Sequence, residues 1–216
     1  MKWLRSLPRR LIRLCTEYGL ATFLQAANIY FGWALASQGY GAQGIVRLQK
    51  AITAQRASGF GMFYPTNLAA LAMACSAANR FDEGLSALTK AEAIAEEHEE
   101  YCHVADIYRL RGELLLKRRA ERSGAKQTGP REASETNDSV VAEAQGCFEH
   151  AIEVAREQSA KSFELRATTS LARLLAEQRD RDKARTMLSE VYNWFTEGFD
   201  TADLKDAKAL LDELSN

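Results

Sequence analysis

Residues 32–51 read "GWALASQGYGAQGIVRLQKA", and the spacing of their small side chains decides the fold. Gly32 is followed twelve positions later by Gly44, then by Leu48 and Ala51 at four and seven positions beyond. Two helices joined by a short turn bring such positions together: where their axes approach to about 8 Å, only Gly or Ala fits between them. Glycine in mid-helix costs about 1 kcal/mol against Ala, so its presence there asks for a packing reason.

The pattern recurs. Ala72, Gly84, Leu88 and Ala91 repeat it forty residues on, and Ala172, Ala184, Leu188 and Val191 repeat it near the C-terminus. Gly112 opens a further copy, forty after Ala72, but Ala144, Phe148 and Ala151 follow it only after twenty extra residues. The extra length falls in 119–139, "RAERSGAKQTGPREASETNDS". That stretch is polar, holds Gly124, Gly129 and Pro130, lacks an apolar period, and reads as a disordered insertion. With it set aside, the forty-residue period runs through the chain, the mark of stacked repeats that bury one another's apolar faces.

The expected architecture is all-α: a superhelix of four antiparallel helical hairpins over 20–198. Its helices fall at 20–37 and 41–57, 64–78 and 82–97, 101–118 and 140–158, and 161–178 and 181–195. Ahead of them, in 1–19, Leu7, Leu11, Leu14 and Tyr18 recur at helical spacing and give an amphipathic capping helix beginning near Pro8. Behind them, Gly198 ends the last hairpin, and Asp200 with Asp203 resembles a capping box. Leu204, Ala207, Leu210, Leu211 and Leu214 then make the apolar face of a C-terminal capping helix in 199–216.

Composition agrees with this reading. The chain has 216 residues, only three Pro, and no alternating β-branched runs of the kind strands need. Net charge is −1, so no global field draws it to nucleic acid or to an anionic membrane, and neither is expected as a partner. Cys15, Cys75, Cys102 and Cys147 lie far apart without a C-x-x-C pair and read as small buried hydrophobes in a reduced, cytoplasmic compartment. Lys2, Arg5, Arg9, Arg10 and Arg13 before the uncharged run Tyr18–Val46, with Ala34-Leu35-Ala36, have the outline of a signal peptide. Gln25, Asn28, Gln38 and the glycines interrupt that run, and it fits the repeat.

Gly39-x-Gly41-x-x-Gly44 matches the dinucleotide fingerprint in letters, but a helix is expected before it, and the next acid after Glu17 is Asp82. His98, Cys102 and His103 hint at a zinc helix, yet a turn through Glu99 and Glu100 would separate them. No Walker sequence, nucleophile elbow or activating His is present, so no enzyme activity, metal or cofactor is expected. Glu92, Glu96, Glu97, Glu99 and Glu100 read as a solvated face. Asn137-Asp138-Ser139 is a glycosylation sequon, meaningful only in a secreted chain.

The strings "GWALASQGYGAQGI", "YRLRGELLL", "CFEHAIEVAREQSAKSFELRATTSLARL" and "VYNWFTEGFDTADLKDAKALLDEL" resemble the C-terminal tetratricopeptide region of large bacterial signalling ATPases, which often follows a nucleotide cyclase or DNA-binding regulator. The resemblance covers about residues 10–216 and implies a helical repeat that senses or docks a partner. No cyclase, ATPase or DNA-binding module lies in this sequence. In the family pattern "RLIRLCTEYGL" would be the second helix of an earlier hairpin, here an orphan helix serving as a cap.

By the same template the leading helices line a groove with Ala26, Ile29 and Trp33; Thr66, Ala69 and Met73; Asp106, Arg109 and Glu113; and Arg166, Thr169 and Arg173. Trp33 and Met73 could anchor an apolar side chain, and Arg166 and Arg173 a carboxylate. The Lys and Asn of the carboxylate clamp in chaperone-binding relatives are replaced by Ile29, Trp33, Ala70, Asp106 and Leu110. The expected function is a non-enzymatic scaffold that takes an unidentified protein or peptide in this groove. The alternatives are a regulatory segment acting with a separately encoded ATPase or cyclase, and a homodimer formed through the first helix.

Overall fold

A computed structural model describes residues 3–59, 63–125 and 130–215, with side chains at 7–59, 63–124 and 138–215. Among these residues there is no strand, and most of them are helical. They are α1 (Trp3–Glu17), α2 (Ala21–Ala36), α3 (Gly41–Ala57), α4 (Tyr64–Ala77), α5 (Phe81–Glu97), α6 (Val104–Ala125), α7 (Pro130–Glu157), α8 (Lys161–Glu177), α9 (Arg181–Tyr192) and α10 (Ala202–Leu214). The chain divides into two compact units, Met1–Tyr101 and Cys102–Asn216, with the boundary just after the acidic run Glu96 to Glu100. The sequence reading places one uninterrupted array across that boundary.

In the N-terminal unit α2 packs on α3 and α4 on α5, while α1 lies on α2, and α4 also touches α2 and α3. Gly32 and Gly44 mark the α2/α3 crossing. A Cβ on Gly44 would lie 2.5 Å from the Gly32 carbonyl oxygen, and one on Gly32 would lie 2.8 Å from Leu48 Cγ. Gly41 opens α3 rather than forming the turn before it, and a Cβ there would meet Ala78 Cβ at 2.7 Å. Its smallness thus serves the contact with the end of α4. Leu48, Ala51, Ala72, Gly84, Leu88 and Ala91 are all buried, each full leucine contributing roughly 1.5–3 kcal/mol of apolar burial.

In the C-terminal unit α6 packs on α7, α8 on α6, α7 and α9, and α10 on α8 and α9. Gly112 lies under the ring of Phe148, and Ala144, Ala151, Ala172, Ala184, Leu188 and Val191 are buried around these contacts. The apolar face of α10 (Leu204, Ala207, Leu210 and Leu214) joins the same core.

The turns follow a rule of their own. Positive φ occurs at Gly19, Gly39, Gly59, Asn79 and Glu99, and again at Ser159 and Arg179, every twenty residues on either side of the long α6/α7 pair. The amide after the positive-φ residue donates to the carbonyl five positions back. Leu20 bonds Cys15, Tyr40 bonds Leu35, Arg80 bonds Cys75, Glu100 bonds Ala95, Ala160 bonds Ala155 and Asp180 bonds Leu175, all at 2.8–3.0 Å. This is the left-handed closure by which main-chain amides satisfy the last carbonyls of a helix.

Four details differ from the sequence reading. Pro8 lies in the second turn of α1, where its missing N–H removes one helical bond. The turn due near Arg119 is absent: α6 continues through Ala125 and α7 starts at Pro130, so the described parts of 119–139 are helical. Ala120, Glu121, Arg122 and Ala125 are good helix formers, and Pro130 suits a first helical position; residues 126–129 lie outside the described ones, as does the Asn137 side chain. Helix α9 stops at Tyr192, and Gly198, at φ +76, belongs to the link that follows. The N-cap of α10 is Thr201 with no side-chain bond, so Asp200 and Asp203 form no capping box.

Candidate functional site

The charged residues expected to line a groove lie on α6 and α8, in the C-terminal unit. Asp106, Arg109 and Glu113 follow one another at one-turn spacing on α6, so their side chains share a face. Arg109 Nε donates to Asp106 Oδ1 at 2.7 Å and its Nη1 to Glu113 Oε1 at 2.6 Å, while Ser170 Oγ on α8 donates to the same Glu113 oxygen at 2.9 Å. The Arg109 side chain is only 13% exposed. Burial alone would lower its pKa, but the two carboxylates outweigh burial and raise it, fixing the charge. Thr169 is buried, its hydroxyl donating to the Leu165 carbonyl at 2.7 Å.

Arg166 and Arg173 face α10. Arg166 Nε sits 2.7 Å from Asp203 Oδ2, and Arg173 Nη2 sits 2.5 Å from Asp206 Oδ1. The two arginines offered as receptors for a partner's carboxylate therefore each hold an internal one. Asp203, read from sequence as a capping residue, is one of those acceptors.

The apolar positions expected to line a groove lie on α2 and α4, in the N-terminal unit, and differ from expectation. Ile29 is 4% exposed and belongs to the core rather than to a groove surface. Trp33 and Met73 are half-buried. Of the large apolar residues on α2, Phe23 and Tyr30 are exposed, at 63% and 65%. Residues 23, 30 and 33 fall along one stripe of the helix, a spacing legible in the sequence that the repeat template does not mark.

Between α2 and α3 an open cleft of about 770 Å³ is lined by Gln25, Asn28, Val46, Arg47 and Lys50 among others. Arg47 donates to Asn28 Oδ1 at 2.5 Å and covers the Phe31 ring, 4.6 Å from its centroid. Arg9 from α1 lies 5.6 Å from the same ring. Stacked guanidinium groups of this kind contribute roughly 0.5–1 kcal/mol each.

The remaining motifs come apart in three dimensions. The glycines at 39, 41 and 44 follow helix α2, and the last two are taken up by helix contacts. His98 caps α5, and Glu99 has φ +53, so His98 and Cys102 share no helix face. Cys102 Sγ instead lies 3.2 Å from His103 Nδ1. Among the described residues no three His, Cys, Asp or Glu side chains gather as a metal site. Cys15 and Cys75 are buried, Cys147 half-buried and Cys102 exposed. None of these four is in a disulfide. Burial, seconded by Glu83, pushes the Cys75 thiol up to about 11. No described helix is long and apolar enough to cross a membrane. No protein-family model matches the chain, and no curated protein matches it.

Proposed function

We propose that the chain is a tetratricopeptide-like helical-repeat scaffold without a catalytic step, and that it docks a peptide or helix of another protein on the N-terminal unit. What supports the repeat reading is the set of small residues buried where paired helices meet, together with turns every twenty residues. The docking face is the α2 stripe of Phe23, Tyr30 and Trp33, with Met73 on α4 at the position forty residues after Trp33. The observation that carries it is a contrast: Phe23 and Tyr30 of α2 stand in solvent beside the half-buried Trp33, whereas the charged groove residues of the other unit are paired internally. Exposed aromatic residues with few rotatable bonds make good anchors because ordering them costs little.

The test is capture of a partner by a photo-crosslinking residue placed at Tyr30, compared with one at Lys183 on α9. Capture at position 30 that is lost in Phe23→Ala/Trp33→Ala and kept in Arg173→Ala supports the reading. Capture that survives loss of all three aromatic side chains refutes it.

A further inference from the structure

We propose that α1 is a surface-lying helix that binds the anionic headgroups of a lipid membrane. Helix α1 packs on α2, and its better-covered positions Pro8, Ile12 and Cys15 share one face. The adjoining face carries Leu7, Leu11, Leu14 and Tyr18, all exposed, Leu7 at 58% and Tyr18 at 69%. The apolar arc of the helix is thus wider than its contact with α2, and about half of it remains open. Arg10 and Arg13 come next around the helix, beside the leucines, and both are exposed.

Apolar stripe, flanking guanidinium groups and an aromatic residue at one end are what a helix needs to lie in the headgroup region with its leucines turned inward. Fifteen residues interrupted by arginines cannot span a bilayer, so the helix lies on it. The helix's own charge favours an anionic surface: α1 carries Arg5, Arg9, Arg10 and Arg13 against one acid, Glu17. The N-terminal unit as a whole is nearly balanced, with ten Lys or Arg against eight acids, so the excess is local to α1. A net charge of −1 for the whole chain conceals this local excess. Pairing of α1 with its equivalent in a second copy about a two-fold axis would set Arg10 and Arg13 near their own kind, which like-charge repulsion disfavours. An anionic lipid surface meets both the leucines and the arginines. The inference rests on α1 alone and is independent of docking at α2.

Co-sedimentation of the full chain with vesicles of equal parts phosphatidylcholine and phosphatidylglycerol, against phosphatidylcholine alone, tests it. Binding should be at least about tenfold stronger to the anionic vesicles and fall as salt is raised. Arg10→Ala and Arg13→Ala should each weaken it by about fivefold, and Leu7→Gln/Leu14→Gln should remove it. All four side chains are exposed, so helix content and melting temperature should hold, as circular dichroism will report. Equal binding to both vesicle types, or binding indifferent to the leucines, overturns the proposal. So does a concentration-dependent dimer, or capture of an acidic protein helix, that the leucine substitutions abolish while no vesicle binding occurs.

Discussion

The ring of Phe148 occupies the space that a side chain on Gly112 would need: a Cβ there would lie 2.5 Å from Phe148 Cε1. Gly112→Leu should overpack the α6/α7 crossing and cost roughly 1–3 kcal/mol in thermal or urea unfolding. Adding Phe148→Ala should return part of that loss, since the two changes act on one space. Purely additive effects would place the strain elsewhere.

Ser159 and Arg179 hold left-handed conformations, at φ +55 and +69, in turns where Gly19, Gly39 and Gly59 do the same. A non-glycine residue there carries a steric cost of about 1–2 kcal/mol, partly offset by the greater freedom of glycine in the unfolded chain. Arg179→Gly should therefore raise stability by up to about 1 kcal/mol, and Gly39→Ala should lower it by a similar amount. Denaturant midpoints of the two variants check the opposite signs.

Glu164, 3% exposed, accepts from Arg156 Nε at 2.7 Å and Lys161 Nζ at 2.6 Å. Burial raises its pKa, but these two partners more than reverse that and leave it lowered. A lowered carboxylate pKa stabilises the fold above the unfolded value, near about 4, and that stabilisation is lost as pH falls through the folded value. Glu164→Gln should cost about 1–3 kcal/mol at neutral pH and flatten the acid limb of a stability-versus-pH curve. An acid limb unchanged in the variant would remove Glu164 as its source.

Thiol labelling should proceed in order of exposure. Cys102 reacts first, Cys147 more slowly, and Cys15 and Cys75 only once the N-terminal unit opens, Cys75 being further protected by its raised pKa. Mass spectrometry after brief maleimide treatment reads this directly. Early modification of Cys75 would contradict its burial.

Helix was legible in the sequence because small residues must recur wherever helices approach closely. Thus the spacing predicts helices over 20–37 and 41–57, and the helices run Ala21–Ala36 and Gly41–Ala57. The turns were less legible, since the conformation that Gly39 advertises is also adopted by Glu99 and Arg179, whose side chains do not announce it. The candidate site was least legible. Nothing in the letters Arg166 and Arg173 reveals that Asp203 and Asp206 will meet them from 37 and 33 positions away. Ile29 fits a groove template and a core position equally well, and only packing decides. The concentration of basic residues in α1 was in plain view, but a whole-chain sum hides a local excess.

Because the turns between helices are closed by main-chain bonds, with Ser37 and Ser58 adding a hydroxyl bond at the ends of α2 and α3, the joints of this chain depend little on which residues its outer faces display. Exposed surface can be rewritten, one twenty-residue segment at a time, without altering how one segment hands over to the next. Recognition and architecture are then separately adjustable, and the chain can accept a transplanted binding stripe on α2 or α4 while its backbone path stays the same.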